Sequence, residues 1–289
     1  MSVHQSTSRP RVHILCLTLL LVSGCSLLPL LPTPTPTPLP TPTPLPTPTP
    51  WPTPTVEPPD TGWQPLQPGV EVRQVRVETG AVAERLTIVR LDPAIVYFRV
   101  HYDPTAPQPV SGWAERLHHP LLVINGGYFT PENKTTGLLI SNGRVWGIPY
   151  GEFAGMFAVT SSGQVSVRWL HDRPYDPDEP LKEALQSFPV LVKPGGVMGF
   201  PADADDGHPA RRTVVAQDRQ GRILTIVAPR GYLSLHELAR FLAESDLDLD
   251  VALNLDGGFS TGLWLNGDEV TPEVDSLTPV PSVISVEYR

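Results

Sequence analysis

The residues of this 289-residue chain with most capacity for chemistry lie in Asn254-Leu255-Asp256-Gly257-Gly258-Phe259-Ser260-Thr261-Gly262. An aspartate followed at once by two glycines, at the end of an apolar run, brings a carboxylate against a ligand. Glycine allows positive φ and close approach, and the amides of such a turn can hold an anion. Asp-Gly-Gly alone is also a common turn, so this element needs a partner before it reads as a site. A second of the same kind exists in Leu122-Val123-Ile124-Asn125-Gly126-Gly127-Tyr128-Phe129, again an apolar strand ending in a polar residue and two glycines. The cation nearest in character is the pair Arg211-Arg212 before Thr213-Val214-Val215. A guanidinium grips a phosphate through two parallel hydrogen bonds, and successive residues of a strand face opposite ways, so only one of the two arginines is expected at a site.

The elements that must position these groups are short β segments. Val251–Leu255 reads as a buried strand with Asp256 at its end, and Gly262–Asp268 as the next strand running into an Asn-Gly turn. Hairpins are expected for Leu138–Ser141 with Arg144–Trp146 around Asn142-Gly143, for Met156–Thr160 with Val165–Leu170, and for Thr213–Gln217 with Ile223–Ala228. Ile95–Tyr102 reads as another strand. Ser234-x-x-Glu237 is a capping box opening a helix with Leu235, Leu238, Ala239 and Leu242 on one face. Shorter helices are expected near Ser111–Leu117 and Leu181–Ser187. Many hairpins and few helices predict an α+β domain on a mixed or antiparallel sheet.

The N-terminal part is of another kind. Arg9 and Arg11 precede an apolar run, Ile14 to Val22, that ends in Val22-Ser23-Gly24-Cys25 and is short for a membrane span. It resembles a bacterial lipoprotein signal, which implies cleavage after residue 24, lipidation of Cys25 and an extracytoplasmic, membrane-anchored protein of the cell envelope. Acyl chains contribute about 0.8 kcal/mol per buried CH₂, so several of them make a lasting anchor. The other cysteine, Cys16, lies inside the signal, so the domain is expected to have neither a disulfide nor a Cys-ligated metal. Losing residues 1–24 removes two arginines and no acid, moving the formal charge from −9 to −11, which argues against nucleic acid as a partner. From Pro29 to about Asp60 a Thr-Pro repeat reads as an extended spacer, on the order of 90 Å at about 3.1 Å per residue, removable without harm to the fold. The expected division is thus a signal over 1–24, lipidated Cys25 and linker over 25–61, and a folded domain over 62–289.

Taken in order, Asn-Gly-Gly-Tyr-Phe, Phe188-Pro189-Val190-Leu191-Val192, Arg212-Thr213, a helix, Asn254-Leu255-Asp256-Gly257-Gly258 and Pro281-Ser282 resemble the phosphodiester glycosidase domain family, which contains the enzyme that uncovers mannose 6-phosphate. The resemblance runs from about residue 120 to the end. Two departures are Phe259, where the family usually has a third glycine, and Val214-Val215-Ala216, where it usually has Ala-Ile-Gly. A bulky Phe259 is expected to reshape the pocket.

The resemblance implies hydrolysis of a glycosyl (sugar 1-) phosphodiester in a cell-envelope or extracellular glycan. Such a reaction calls for a cation on the phosphate and a carboxylate that steadies an oxocarbenium-like centre or handles a proton. Arg212 matches the family's arginine, with Arg211 its rival. Asp256 is the carboxylate, as acid, base or nucleophile. Asn125 and Asn254 are expected to orient sugar or acid, Ser260 to donate to the phosphate, and Gly126, Gly127, Gly257 and Gly258 to supply amides and clearance. The competing reading is a catalytically silent carbohydrate-binding or envelope-organising lipoprotein. No cofactor is implied. Ca²⁺ suits the carboxylates of Asp203-Ala204-Asp205-Asp206-Gly207-His208, but the spacing departs from a calcium loop, and a solvated acidic loop is the default. His208-Pro209 lies near a His-Pro of the family and so at a pocket rim, whereas His118 and His119 read as surface residues. Neither a His-Glu-x-x-His zinc pattern nor a Gly-x-Ser-x-Gly elbow occurs. No signal for an oligomeric state is present.

Overall fold

The computed structural model describes residues 58–267 and 274–289, all within one compact unit. The proposed signal, Cys25 and most of the Thr-Pro segment lie outside the described residues, as does Asp268 of the expected Asn-Gly turn.

Three sheets, with strands numbered along the chain, make the domain. The first runs in the order β1 (Gln64–Gln67), β2 (Val70–Thr79), β3 (Val82–Leu91), β14 (Ile223–Ala228), β13 (Arg212–Asp218), β15 (Leu249–Asn254), β11 (Val190–Lys193), β12 (Val197–Met198). The second is β7 (Arg144–Trp146), β6 (Leu139–Ser141), β10 (Leu181–Ser187), β8 (Gly155–Thr160), β9 (Val165–Trp169). The third is β16 (Leu263–Leu265), β5 (Leu122–Asn125), β17 (Ser282–Tyr288), β4 (Val96–Tyr102). Every strand pairing described is antiparallel, which narrows the expected mixed or antiparallel sheet to the latter.

The main core lies where the sheets face one another, with Val215 and Leu253 from the first, Phe157 and Leu185 from the second, and Ile124 and Ile284 from the third. Alternate residues of β13 and β15, Val214, Ala216 and Ala252, face the other way onto α2 (Leu235–Glu244) through Leu238, Ala239 and Leu242. Because both faces are covered, these strands read as continuous apolar runs, not as alternation. The capping box forms as expected: Ser234 Oγ accepts from the Glu237 amide at 3.2 Å, and Glu237 accepts from the Ser234 amide at 2.9 Å. α1 (Val110–Arg116) packs Val110, Trp113 and Ala114 on the outer side of the third sheet. The Asn142-Gly143 turn has φ of 49° and 77°, the double positive φ of a two-residue hairpin. No helix among the described residues is long and apolar enough to cross a membrane.

Two expectations change. Leu181–Ser187 is not a helix but the central strand β10, bonded to β6 on one side and β8 on the other. Its Leu, Lys, Glu, Ala and Gln favour a helix locally, but Ala184 and Leu185 bury into two different cores, and tertiary packing overrides propensity.

The fold also begins earlier than residue 62. Asp60 grips Arg73 with both oxygens, at 2.9 and 2.6 Å, and pairs as a bridge with Val75, while Pro59 O accepts from the Arg76 amide. Arg73 is only 8 % exposed and shares its charge with Asp246. Removing Pro29–Asp60 therefore cuts into the domain. We expect Asp60→Ala to cost about 1–2 kcal/mol, a few degrees of Tm in calorimetry, where a deletion stopping at Glu57 costs nothing measurable.

Candidate active site

Four strand ends meet at one edge of the domain. β13 and β15 are antiparallel with Val214 opposite Asn254, so the start of one lies beside the end of the other. β5 and β17 are antiparallel with Val283 opposite Asn125, which does the same for Asn125 and Ser282. The Asn-Gly-Gly, Arg-Thr, Asp-Gly-Gly and Pro-Ser elements thereby converge, although they are far apart in the chain.

Asn125 locks them together. Its Nδ2 donates to Asp256 O at 2.7 Å and Gly126 O at 3.2 Å, and its Oδ1 accepts from Thr213 Oγ1 at 2.7 Å and the Gly262 amide at 3.1 Å. That is the full capacity of a side-chain amide, and the residue is completely buried, so nothing remains for a sugar. Asn125 positions the aspartate loop from beneath. Gly126 is required by the neighbouring strand: its amide donates to Ser282 O at 2.8 Å, and a Cβ would lie 2.9 Å from that oxygen and collide with the Ser282 side chain. Gly127 abuts Gln186 O on β10, 3.1 Å from where a Cβ would stand.

The glycines after Asp256 have a similar origin. A Cβ on Gly257 would come within 2.8 Å of Arg211 O, and Gly258 takes φ of +61° to donate its amide to that same oxygen at 2.8 Å. The Gly257 amide bonds Asp256 Oδ1 at 2.9 Å. The amides of Gly126, Gly257 and Gly258 are thus committed to the protein, and the expected amide cradle for an anion is not built from them.

Asp256 is left half-buried just past the end of β15. Burial pushes its pKa up to about 6, against the opposing influence of the Ser260 hydroxyl and the Gly257 amide. The two adjacent arginines separate as strand geometry requires. Arg211 turns to the loop and donates to Thr261 O at 2.8 Å and Asp275 O at 2.9 Å, a structural role. Arg212 donates to His208 O at 2.9 Å, has, like Arg211, a buried Nε without a partner, and forms no ion pair among the described residues. Burial lowers its pKa, so the folded protein holds a cation whose charge is under-compensated. An anion would relieve that. His208 contributes its carbonyl, not its ring, at the rim.

Tyr128 has no role in the sequence pattern beyond its place in the Asn-Gly-Gly-Tyr-Phe element, yet it belongs to the site. It lies close enough to Asp256 and Arg212 for both charges to act on it, and burial, followed by Asp256, holds the phenol protonated far above its ordinary range. Asn254 Nδ2 donates to Tyr128 Oη at 2.9 Å and to the carbonyls of Leu255 at 2.7 Å and Phe188 at 3.1 Å. Two carbonyls demand a donor, which fixes the orientation of the Asn254 amide; its two hydrogens are shared among three acceptors, and because Nδ2 cannot accept, the Tyr128 hydroxyl keeps its own proton to donate elsewhere. The one signal for it in the sequence is a hydroxylated aromatic directly after Gly126-Gly127. Phe259 does not fill the pocket: it is 71 % exposed, and its backbone carbonyl accepts from Leu277.

In the acidic loop, Asp206 accepts from the His208 amide and Asp205 from the His236 amide, and no group of three or more His, Cys, Asp or Glu among the described residues is placed to hold a metal ion.

A half-buried carboxyl, a guanidinium without an ion pair among the described residues and a protonated phenol near enough to feel both charges stand together at these strand ends. The phosphodiester glycosidase family profile matches residues 118–287, more than half of the chain and all of these elements. The chain belongs to the phosphodiester glycosidase family. Its fold is similar to that of the zebrafish N-acetylglucosamine-1-phosphodiester alpha-N-acetylglucosaminidase catalytic domain, solved auto-inhibited by pro-peptide, with a TM-score of 0.59 and 17 % identity over 81 % of this chain and 85 % of that one. A hypothetical protein from Synechocystis is similar at a TM-score of 0.53 and 18 % identity over 78 % of this chain and 64 % of that one. No curated protein sequence matches this chain. At these identities the solved structures establish the shared fold, and the family assignment rests on the sequence profile.

Proposed function

We propose that this phosphodiester glycosidase family member hydrolyses a sugar 1-phosphodiester in a cell-envelope or extracellular glycan, with Arg212 holding the phosphate and Asp256 moving the proton. The observation that carries the reading is that a half-buried Arg212, without an ion pair among the described residues, and an Asp256 whose pKa burial raises to about 6 both lie near enough to Tyr128 to act on it. A carboxyl poised there exchanges a proton near neutral pH, the condition for acid–base work, whereas a nucleophile gains from staying ionised. Water adds to the anomeric carbon and gives its proton to Asp256. The C1–O bond breaks, and its electron pair leaves on the phosphate monoester held by Arg212. Phosphate is a good leaving group, so little acid assistance is needed, and the Tyr128 phenol donates to the phosphate oxygens as negative charge gathers on them. Ser260 tunes Asp256 in this reading. The test is to incubate the purified protein with a panel of sugar 1-phosphodiesters and identify products: free sugar and phosphate monoester support the proposal, and no turnover of any member opposes it.

The lipobox-like Val22-Ser23-Gly24-Cys25 supports placement on the outer side of a membrane, with the Thr-Pro segment as spacer. Cys25→Ser is expected to release the protein from membranes and remove the acyl mass from its N-terminal peptide. Retention after high-salt washing, with the mass modification unchanged, would refute the anchor.

A further inference from the structure

An aromatic wall leads out of the site from Tyr128. The Tyr128 ring lies 4.7 Å from Phe188, which meets Tyr150 at 5.3 Å and Phe153 at 5.7 Å, both nearly edge-on. Tyr150 is near enough to Asp256 to feel its charge. Phe153, at the outer end, meets the Tyr150 ring at a tilt and the Phe188 ring edge-on, and is still 61 % exposed. A large aromatic side chain gains its stabilisation by being covered, so a wall that starts at the reacting groups and ends uncovered has the form of a ligand surface.

The wall is held in place. The Tyr150 amide donates to Oε1 of the buried Gln186 at 2.6 Å, its hydroxyl bonds Thr136 Oγ1, and a Cβ on Gly137 would lie 2.5 Å from the Tyr150 ring. Its direction is informative too. Tyr150 lies within range of the Asp256 charge, so the wall runs beside the carboxylate. A polar pair belongs to it, the hydroxyls of Tyr150 and Thr136. Exposed aromatic surface beside hydroxyl groups suits a pyranose, which presents C–H bonds on one face and hydroxyls at its edge. An acyl chain could use only the ring.

Building on the proposed function, we infer that Phe188, Tyr150 and Phe153 form a glycone-side subsite that stacks on a second pyranose, so that the substrate is an oligo- or polysaccharidyl phosphodiester. The test is calorimetric binding of mono- and disaccharidyl 1-(methyl phosphodiesters) of gluco, galacto, manno and N-acetylhexosamine type to the Asp256→Asn protein, with turnover of the same compounds followed in the unmodified protein. At least one disaccharidyl compound is expected to bind about ten-fold tighter than its monosaccharidyl counterpart, the scale of one good aromatic contact. Phe153→Ala should erase that advantage while leaving monosaccharidyl affinity unchanged, and Phe153→Trp should keep it. An advantage that survives Phe153→Ala, or that is absent from the start, overturns the subsite. If the advantage appears and depends on Phe153 but the unmodified protein hydrolyses nothing in the panel, the subsite stands and the hydrolase reading falls. Turnover without the advantage leaves the hydrolase standing and removes the subsite.

Discussion

Asp256→Asn is expected to lower kcat on a sugar 1-phosphodiester by about 10²-fold or more, the scale of a missing acid–base group, with the fold retained. The amide keeps the side-chain shape and removes the ability to take a proton. The pH profile adds a second signature. A base must be ionised, so kcat/KM of the parent should fall as pH drops through about 6, where the Asp256 carboxyl takes up its proton. The variant's residual activity should lack that limb. Stability should move in the opposite sense from activity. Because the Asp256 pKa is raised on folding from 3.8 to about 6, the folded state binds the proton more tightly, and the carboxyl costs stability as pH rises through that interval. Above pH 6 the penalty reaches at most about 3 kcal/mol, so Asp256→Asn should melt at the parental temperature or higher. A variant that loses both activity and several degrees of Tm would mark Asp256 as a structural turn residue.

Arg212→Lys is expected to raise KM by about ten- to a hundred-fold while the charge is retained, because one ammonium cannot reproduce the two parallel hydrogen bonds of a guanidinium on phosphate. Thermal stability should hardly change, since Arg212 gives the fold a single bond to His208 O and brings a buried, unpaired Nε. Its neighbour supplies the contrast. Arg211 ties the aspartate loop to Thr261 and Asp275, so Arg211→Ala should lower Tm first. Titration of each variant with inorganic phosphate, alongside kinetics and melting curves, separates the two arginines: phosphate affinity should collapse only on substitution of Arg212.

Much of this was legible in the sequence because it depends on local patterns. The hairpin turn at Asn142-Gly143 and the capping box at Ser234 and Glu237 are decided by a few neighbouring residues, and both form as read. Strand alternation alone said that only one of Arg211 and Arg212 would face the site. What remained hidden depends on contacts between distant segments. Asn125 has the appearance of a ligand-binding residue until its four hydrogen bonds, to Gly126, Asp256, Thr213 and Gly262, are seen to be taken. The amides of Gly126 and Gly258 looked available because their acceptors, Ser282 O and Arg211 O, come from distant segments of the chain. Tyr128 gained importance only when Asn254 was seen to occupy its acceptor side. Leu181–Ser187 carries helix-forming residues whose fate is set by β6 and β8, and Asp60 looked like the end of a spacer because Arg73 is its partner across a sheet edge.

If Asp256 and Arg212 direct water to the anomeric carbon and release a phosphate monoester, the oxygen of that water must end on the sugar. Hydrolysis of a sugar 1-phosphodiester by the purified protein in H₂¹⁸O, with both products examined by mass spectrometry after brief reaction, reads this out in one step. We expect ¹⁸O at the anomeric hydroxyl of the released sugar and none in the phosphate. Label in the phosphate would mean P–O cleavage and contradict the roles assigned to both residues.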